Sequence, residues 1–174
     1  LRINALAAQQ LALACRAADC ALMHISTDYV FDGAKRAPYV ETDAPNPLSA
    51  YGASKLAGEL LIRAAWQKHY IVRTCGLYGR AGASGKGGNF VNTMLRLARE
   101  GKPIRVVGDQ ICTPTSTADL AAQLALLIET RAWGTYHATS GGGCAWSDFA
   151  AEIFRLAAGR GLIPAAPSVT PISS

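Results

Sequence analysis

The segment His69–Cys75, "HYIVRTC", decides the fold class. Its apolar residues run almost continuously instead of alternating with polar ones. That pattern is typical of a strand buried on both faces of a parallel sheet, because a strand with one wet face alternates. Parallel neighbours must be joined by crossover connections, which are usually helices. The segment therefore predicts an α/β protein built on a parallel sheet.

The rest of the chain alternates helices and strands around this segment, as such connections require. The predicted helices cover residues 4–18, 49–66, 90–100, 118–129 and 146–158, and the predicted strands cover 21–26, 70–75, 104–107 and 135–138. Three prolines near the end, Pro164, Pro167 and Pro171, predict that the last stretch is a loop.

The composition is that of a globular chain without a membrane segment. Half of the 174 residues are hydrophobic, yet no apolar run reaches the roughly 18 residues that a membrane span needs. The five cysteines show no CxxC spacing and the three histidines show no ligand spacing, so neither a disulfide framework nor a metal site is predicted. The net charge of +5 is spread along the chain, which argues against nucleic acid as a partner. We expect a cytoplasmic protein.

A second informative stretch, "HISTDYVFDG" at His24–Gly33, begins like a buried strand and then turns polar. Ligands of open parallel sheets bind beyond the carboxyl ends of the strands. Ser26, Thr27 and Asp28 lie at that end of a predicted strand. We therefore expect the functional site to include them.

The helix that follows carries two side chains suited to proton transfer. Tyr51 and Lys55 are four residues apart, so they lie on one face of the helix in its first two turns. A neighbouring cation favours the phenolate form, and lowering a tyrosine pKa by about 3 units takes roughly 4 kcal/mol. Such a tyrosine exchanges a proton near neutral pH. Leu56, Leu60 and Ala64 are expected to form the apolar stripe of this helix.

Four stretches in this order carry a family resemblance: "HISTDYVFDG", "YVETDAPNPLSAYGASKLAGE", "IVRTCGLYG" and "GGNFVNTMLRLAREGKPIRVVGDQICTPTSTADLA". Together they resemble the dTDP-4-dehydrorhamnose reductase family of extended short-chain dehydrogenases/reductases, over about Asn4 to Ile172. The resemblance implies a partial Rossmann-like parallel sheet with helices on both faces, plus a smaller C-terminal substrate-binding region. It implies that residues 1–75 are the remainder of an NAD(P)-binding domain with the catalytic residues. Residues 76–174 would be mainly substrate-binding, interleaved with the last Rossmann elements.

The resemblance also implies a reaction and a set of roles. In that family NADPH or NADH delivers hydride to the C4 carbonyl of a dTDP-linked 4-keto-6-deoxy sugar, which turns dTDP-4-dehydrorhamnose into dTDP-rhamnose for polysaccharide synthesis. The triad that matches here is Thr27, Tyr51 and Lys55. Tyr51 would protonate the oxygen and Thr27 would hydrogen-bond it, while Lys55 would hold the cofactor ribose and favour the phenolate. Tyr51 and Lys55 are thus the expected cofactor contacts, and Asp28 matches a sugar-contacting position.

Three departures from the family bear on these expectations. The glycine-rich dinucleotide fingerprint would precede Leu1, so we expect a fragment that carries the catalytic half. Gly76 stands where many members have a tryptophan that packs on the sugar, so this candidate substrate-binding position has no ring. The loop Gly79–Asn89 is longer than usual and is predicted to face the substrate, with Asn89 as a candidate contact to the nucleotide diphosphate.

Two alternatives remain open on the sequence alone. One is a sugar-nucleotide epimerase or dehydratase of the same superfamily, although dehydratases tend to have an acidic pair beside the catalytic hydroxyl and Tyr29 follows Asp28 here. The other is a non-catalytic regulatory subunit related to the family. A homodimer and a bound magnesium ion are compatible with the resemblance, and no residue pattern points to either.

Overall fold

Helices and strands alternate along the chain as predicted. The computed structural model describes residues 1–81 and 88–174, and every predicted helix and strand is present in it. The helices are a π-helical segment at Arg2–Ala7 that continues into α1 (Ala8–Ala17), then α2 (Ala50–Ala65), α3 (Phe90–Arg99), α4 (Thr117–Glu129) and α5 (Trp146–Gly159). The strands are β1 (Leu22–Thr27), β2 (His69–Thr74), β3 (Leu77–Tyr78), β4 (Ile104–Val107), β5 (Ile111–Cys112), β6 (Thr115–Ser116), β7 (Gly134–His137), β8 (Cys144–Ala145) and β9 (Val169–Ile172).

The chain divides into two units, each with its own interior. The first unit comprises Leu1–Thr74 and Ala121–Ala138, and the second comprises Cys75–Leu120 and Thr139–Ser174. The assignment of a cofactor-binding role to residues 1–75 and a mainly substrate-binding role to residues 76–174 stays a prediction.

The first unit contains a three-stranded parallel sheet in the order β1-β2-β7. Thr27 pairs with Thr74, and Arg73 pairs with His137, so the three strands end at one edge. β2, which the segment "HYIVRTC" forms, is the central strand, and its five residues from Tyr70 to Thr74 are all buried. The predicted α/β class with a parallel sheet is therefore confirmed.

Helices contact both faces of this sheet. α1 and α2 cover one face and bury a cluster that consists of Ala8, Ala12, Ile62, Ala65 and Ile71. Gly58 of α2 permits a close approach, because a Cβ there would lie 2.1 Å from the carbonyl oxygen of Asn4. Tyr70 is next to Ile71 on β2 and therefore faces the opposite side. There its hydroxyl donates a hydrogen bond to the carbonyl oxygen of Ile128 in α4 (3.2 Å).

The buried face of α2 differs from the predicted stripe. Leu60 and Ala64 are exposed, so the prediction of an apolar stripe through them is wrong. The buried residues are Gly52, Ser54, Lys55, Gly58, Glu59, Ile62 and Ala65. Two charged side chains can lie on this face because β1 and β2 supply polar partners for them. Small residues complete it, since they let the neighbouring backbone approach.

The second unit has an apolar core between two helices and a pair of strands. α3 and α5 pack with β4 around a cluster that consists of Met94, Ile104, Val106, Ala150, Ile153, Phe154, Ala157 and Ile163. Aromatic rings extend it, as Phe90 stacks on Phe149 with the ring centroids 5.4 Å apart. No helix within residues 1–81 and 88–174 has the length and apolar character needed to cross a membrane.

The end of the chain corrects the sequence prediction. Residues 169–172 form β9, which pairs in parallel with β4, so the prediction of a closing loop is wrong for them. Pro171 lies opposite Val106 in this pair. A proline has no N–H to donate to a neighbouring strand. It is therefore tolerated in an edge strand, on the side that has no neighbour. β9 has only β4 as its neighbour among the described strands.

Candidate active site

Thr27 ends β1 at the carboxyl edge of the sheet, where its side chain is buried. Its hydroxyl oxygen accepts a hydrogen bond from the backbone N–H of Tyr29 (3.3 Å), and the hydroxyl donates to Oδ1 of Asp28 (3.1 Å). The first bond caps a short 3₁₀ turn at Asp28–Val30. This turn holds the hydroxyl at the edge of the sheet, where ligands of open parallel sheets bind.

Tyr51 lies in the first turn of α2, directly against that 3₁₀ turn. Ser49 caps the helix, since its hydroxyl accepts a hydrogen bond from the N–H of Gly52 (3.0 Å). Gly52 allows contact with the turn after Thr27, because a Cβ at Gly52 would lie 2.1 Å from the carbonyl oxygen of Tyr29. The Tyr51 ring meets the Tyr29 ring edge-on at 6.0 Å and is 52% exposed. The structure thus brings an accessible phenol next to the turn that holds Thr27.

Lys55 lies one turn further along α2 and is buried against β1. Its Nζ donates to the carbonyl oxygen of Ile25 (2.6 Å) and lies 3.2 Å from Nε2 of His24. Burial lowers the pKa of Lys55, and the carboxylate of Glu59 opposes that effect. Burial, helped by the charge of Lys55, lowers the pKa of His24 to about 4. His24 is therefore neutral at pH 7, and its Nε2 accepts a hydrogen bond from the ammonium group.

Sequence reasoning missed a buried carboxylate beneath these residues. Glu59 of α2 is 0% exposed and forms an ion pair with Arg73 of β2, from Oε2 to Nη2 at 2.6 Å. Its Oε1 accepts a hydrogen bond from the hydroxyl of Ser26 (2.5 Å). The signal in the sequence was the helical spacing, because Glu59 follows Lys55 by four residues and so shares its face.

Two predicted substrate contacts, Gly76 and Asn89, belong to the second unit, whereas Thr27, Asp28, Tyr51 and Lys55 belong to the first. Gly76 has a φ of +56°, and a Cβ there would lie 3.1 Å from the carbonyl oxygen of Thr113. Glycine is thus required by the backbone at this position.

Asn89 has a local structural role. Its Oδ1 accepts from the N–H of Asn92 (3.0 Å) and caps α3, while its Nδ2 donates to the carbonyl oxygen of Gly79 (2.6 Å). Its contact with a substrate stays a prediction, as does that of Gly76. Residues 82–87 of the predicted substrate-side loop lie outside the described residues.

The candidate site is built from hydroxyl, phenol and ammonium groups. In the part of the chain that the structure describes, His, Cys, Asp and Glu form no group of three or more that would hold a metal ion. A parallel sheet with a threonine at its carboxyl edge, followed by a helix with tyrosine and lysine in its first two turns, defines a Rossmann-like α/β protein with a hydroxyl, a phenol and an ammonium group around the end of β1.

The chain belongs to the RmlD substrate binding domain family, whose model matches residues 1–174. It is 43% identical over 157 residues to a dTDP-4-keto-6-deoxy-D-glucose reductase of Streptomyces niveus. The match covers 90% of this chain and 53% of that protein. It is 40% identical over 165 residues to a dTDP-4-dehydrorhamnose reductase of Shigella flexneri, with 92% and 54% covered. The resemblance predicted from the sequence is therefore confirmed.

A solved structure supports the same relationship. The dTDP-4-dehydrorhamnose reductase of Bacillus anthracis, in complex with NADP, superposes with a TM-score of 0.88 at 42% identity, covering 98% of this chain and 57% of that one. The chain spans about half the length of the curated relatives that it matches.

Proposed function

We propose that the protein reduces the C4 keto group of a dTDP-4-keto-6-deoxy sugar with NADPH or NADH, and so converts dTDP-4-dehydrorhamnose into dTDP-rhamnose. The observation that carries the proposal is the grouping of Thr27, Tyr51 and Lys55 around one end of β1, in a member of a family with reductase relatives. The product would serve polysaccharide synthesis. The cytoplasmic location and a homodimer stay predictions from the sequence.

The donor set fits the ribose end of a nicotinamide cofactor. An ammonium group has three N–H donors, and Ile25 and His24 accept two of those of Lys55. Lys55 takes part in no ion pair among the described residues, so its charge and its third donor suit a ribose hydroxyl. The cofactor, when bound, supplies hydride to the carbonyl carbon.

The chain's own residues would handle the proton. The phenol of Tyr51 donates its proton to the carbonyl oxygen as that oxygen gains charge, and the Thr27 hydroxyl donates a hydrogen bond to the same oxygen. Lys55 favours the resulting phenolate through its positive charge. In the present geometry the Thr27 hydroxyl donates its hydrogen bond to Asp28. When the substrate binds, its carbonyl oxygen would replace Asp28 as the acceptor.

The test is cofactor oxidation by the full-length protein with dTDP-4-keto-6-deoxymannose. We expect turnover, and we expect Tyr51→Phe to lower kcat by about 10²- to 10⁴-fold, the usual contribution of a positioned acid. Tyr136→Phe is the matched control, because Tyr136 lies in β7 and its hydroxyl donates to the carbonyl oxygen of Ala132, just before that strand. It should leave kcat unchanged.

Three outcomes would contradict the proposal. They are absence of turnover in the full-length protein, turnover that Tyr51→Phe does not affect, and conversion of the sugar without net oxidation of the cofactor. The last outcome would identify an epimerase or a dehydratase instead.

A further inference from the structure

A buried charged cluster lies between α2 and the strands β1 and β2, on the elements that carry the proposed catalytic residues. It consists of Ser26 of β1, Glu59 of α2 and Arg73 of β2, each less than 5% exposed. Arg73 donates to both carboxylate oxygens, from Nε to Oε1 at 3.0 Å and from Nη2 to Oε2 at 2.6 Å. The serine hydroxyl donates to Oε1, so the carboxylate is held from two strands at once.

Two members of the cluster lie close to residues of the candidate site along the chain, and the third pairs with one of those members in the sheet. Ser26 directly precedes Thr27, and Glu59 follows Lys55 by one helical turn. Arg73 pairs with Ser26 in the sheet register. The carboxylate of Glu59 therefore fixes the helix that carries Tyr51 and Lys55 against the strand that carries Thr27.

Net stability is a poor explanation for such a cluster. Burying two charges costs desolvation that their attraction only partly offsets, and apolar side chains of similar volume often stabilise a fold as well or better. What an ion pair with three directional hydrogen bonds adds is a fixed orientation. Loss of that orientation would be felt first by the residues whose mutual geometry it sets.

We propose that Glu59 is a positioning residue for the reaction, which fixes α2 against β1 and β2 and supplies the buried negative charge that holds the Lys55 ammonium in its charged form. The proposal rests on the proposed function for its catalytic part. Its electrostatic part concerns Lys55 alone and holds whether or not the protein is a reductase.

The charged groups around Lys55 determine what removal of Glu59 would do. His24 faces it from β1 and is neutral at pH 7. Arg73 faces the cluster from β2, and Arg63 of α2 approaches Glu59 to 3.9 Å. Glu59 is thus the negative charge among cationic neighbours, and it opposes the lowering of the Lys55 pKa by burial. Without Glu59, burial would lower the pKa of Lys55 with no opposing charge.

The experiment compares Glu59→Gln with the wild type in the full-length protein by two readouts. The first is the pH profile of kcat/KM, whose alkaline limb we expect to move by about one unit to lower pH as Lys55 loses its proton earlier. We also expect kcat to fall on the order of tenfold with little change in KM for the sugar, because misplaced groups lose transition-state contacts. The second is NMR titration of the ¹⁵N-labelled Lys55 side chain, which should move in the same direction.

Two further variants separate charge from geometry. Glu59→Asp keeps the charge on a shorter side chain, so we expect a lower kcat with the alkaline limb at its wild-type position. Glu152→Gln removes an exposed carboxylate, paired with Arg155, and serves as the control that should change neither readout. Glu59→Asp keeps the test decisive if Glu59→Gln does not fold.

An unchanged Lys55 titration in folded Glu59→Gln overturns the proposal, and so does an alkaline limb that shifts in Glu59→Asp. A fall in kcat with an unchanged pH profile would show a merely structural role and also overturns it. If the wild type shows no turnover while the Lys55 titration still shifts in Glu59→Gln, the proposed function fails and the electrostatic part of this inference stands.

Discussion

Both units bury an apolar cluster, and the first unit buries a charged cluster as well. In the first unit, charged and polar groups are buried between α2 and the parallel sheet. They are the ion pair of Glu59 with Arg73, the hydroxyl of Ser26 and the ammonium group of Lys55. In the second unit, the core cluster consists of apolar side chains around Phe154. Apolar burial stabilises without regard to direction, whereas buried hydrogen-bonded charges add little net stability and fix orientation.

The difference matches the placement of the proposed chemistry. Thr27, Tyr51 and Lys55 all lie in the unit with the directional interior. A reaction that depends on the mutual geometry of a hydroxyl, a phenol and an ammonium needs fixed side chains more than it needs additional stability. The apolar interior of the second unit provides stability to its own helices and strands.

The largest effect we expect is from Arg73→Met, which leaves Glu59 buried without its partner. The loss should be about 3–5 kcal/mol in the unfolding free energy of the first unit, as is usual when one member of a buried pair is removed. Measurement of amide hydrogen exchange in β1 and β2 would give this value for the first unit separately.

A triple variant supplies the contrast. Ser26→Ala, Glu59→Met and Arg73→Met together remove every charge and donor of the cluster, so we expect most of the lost stability to return. Equal destabilisation by the single and the triple variants would mean that the cluster is a net source of stability, and the contrast between the two interiors would fail.

Acid should affect the first unit before the second. The pKa of folded His24 is about 4, below the 6.5 of the unfolded chain, so the unfolded state binds the extra proton between these values. Stability of the first unit should therefore fall as the pH falls through this window, by at most about 1.4 kcal/mol per pH unit and less because the ring is partly exposed.

His24→Gln is the matched variant for this prediction. The Gln amide oxygen can accept from Lys55 as Nε2 does, and it does not titrate between pH 4 and 6.5. The difference in hydrogen-exchange protection between wild type and His24→Gln should change between pH 6.5 and 4 and become independent of pH above pH 6.5. All three histidines lie in the first unit, so protection of α3 and α5 should not change between pH 6.5 and 5. A parallel loss in both units would contradict the prediction.

Local patterns were enough to predict the sheet and the placement of the candidate site. The apolar run of β2 indicated a parallel strand, and the rule that ligands bind at carboxyl edges then pointed to Thr27. Tyr51 and Lys55 followed from helical spacing. These features depend on residues within a few positions of one another, or on a general property of parallel sheets.

What the sequence did not reveal depends on contacts between distant segments. Glu59 on the buried face of α2 is explained only by Arg73 and Ser26, which the sheet register brings together. Leu60 was wrongly expected to be buried, because hydrophobicity alone cannot show which face of α2 packs on the sheet. β9 was missed because proline is tolerated only in an edge strand. Its position at an edge depends on its pairing with β4, a tertiary contact that local sequence does not show.

The smallest effect concerns the helix caps, one in each unit. Ser49→Ala removes a single capping bond from α2, so we expect a loss of about 1 kcal/mol in local stability. Asn89→Ala removes the cap of α3 and also the bond from Nδ2 to Gly79, which should add about 0.5–1.5 kcal/mol to a similar cap loss.

Asn89→Asp separates the two bonds and tests the predicted substrate contact as well. The Asp carboxylate still caps α3 but cannot donate to the Gly79 carbonyl, so exchange protection in α3 should fall by less than in Asn89→Ala. If Asn89 has only this structural role, KM for the dTDP-sugar should stay at its wild-type value in Asn89→Asp. A several-fold increase in KM in Asn89→Asp, with α3 protection higher than in Asn89→Ala, would instead establish the substrate contact, because a carboxylate repels a diphosphate that an amide can bind.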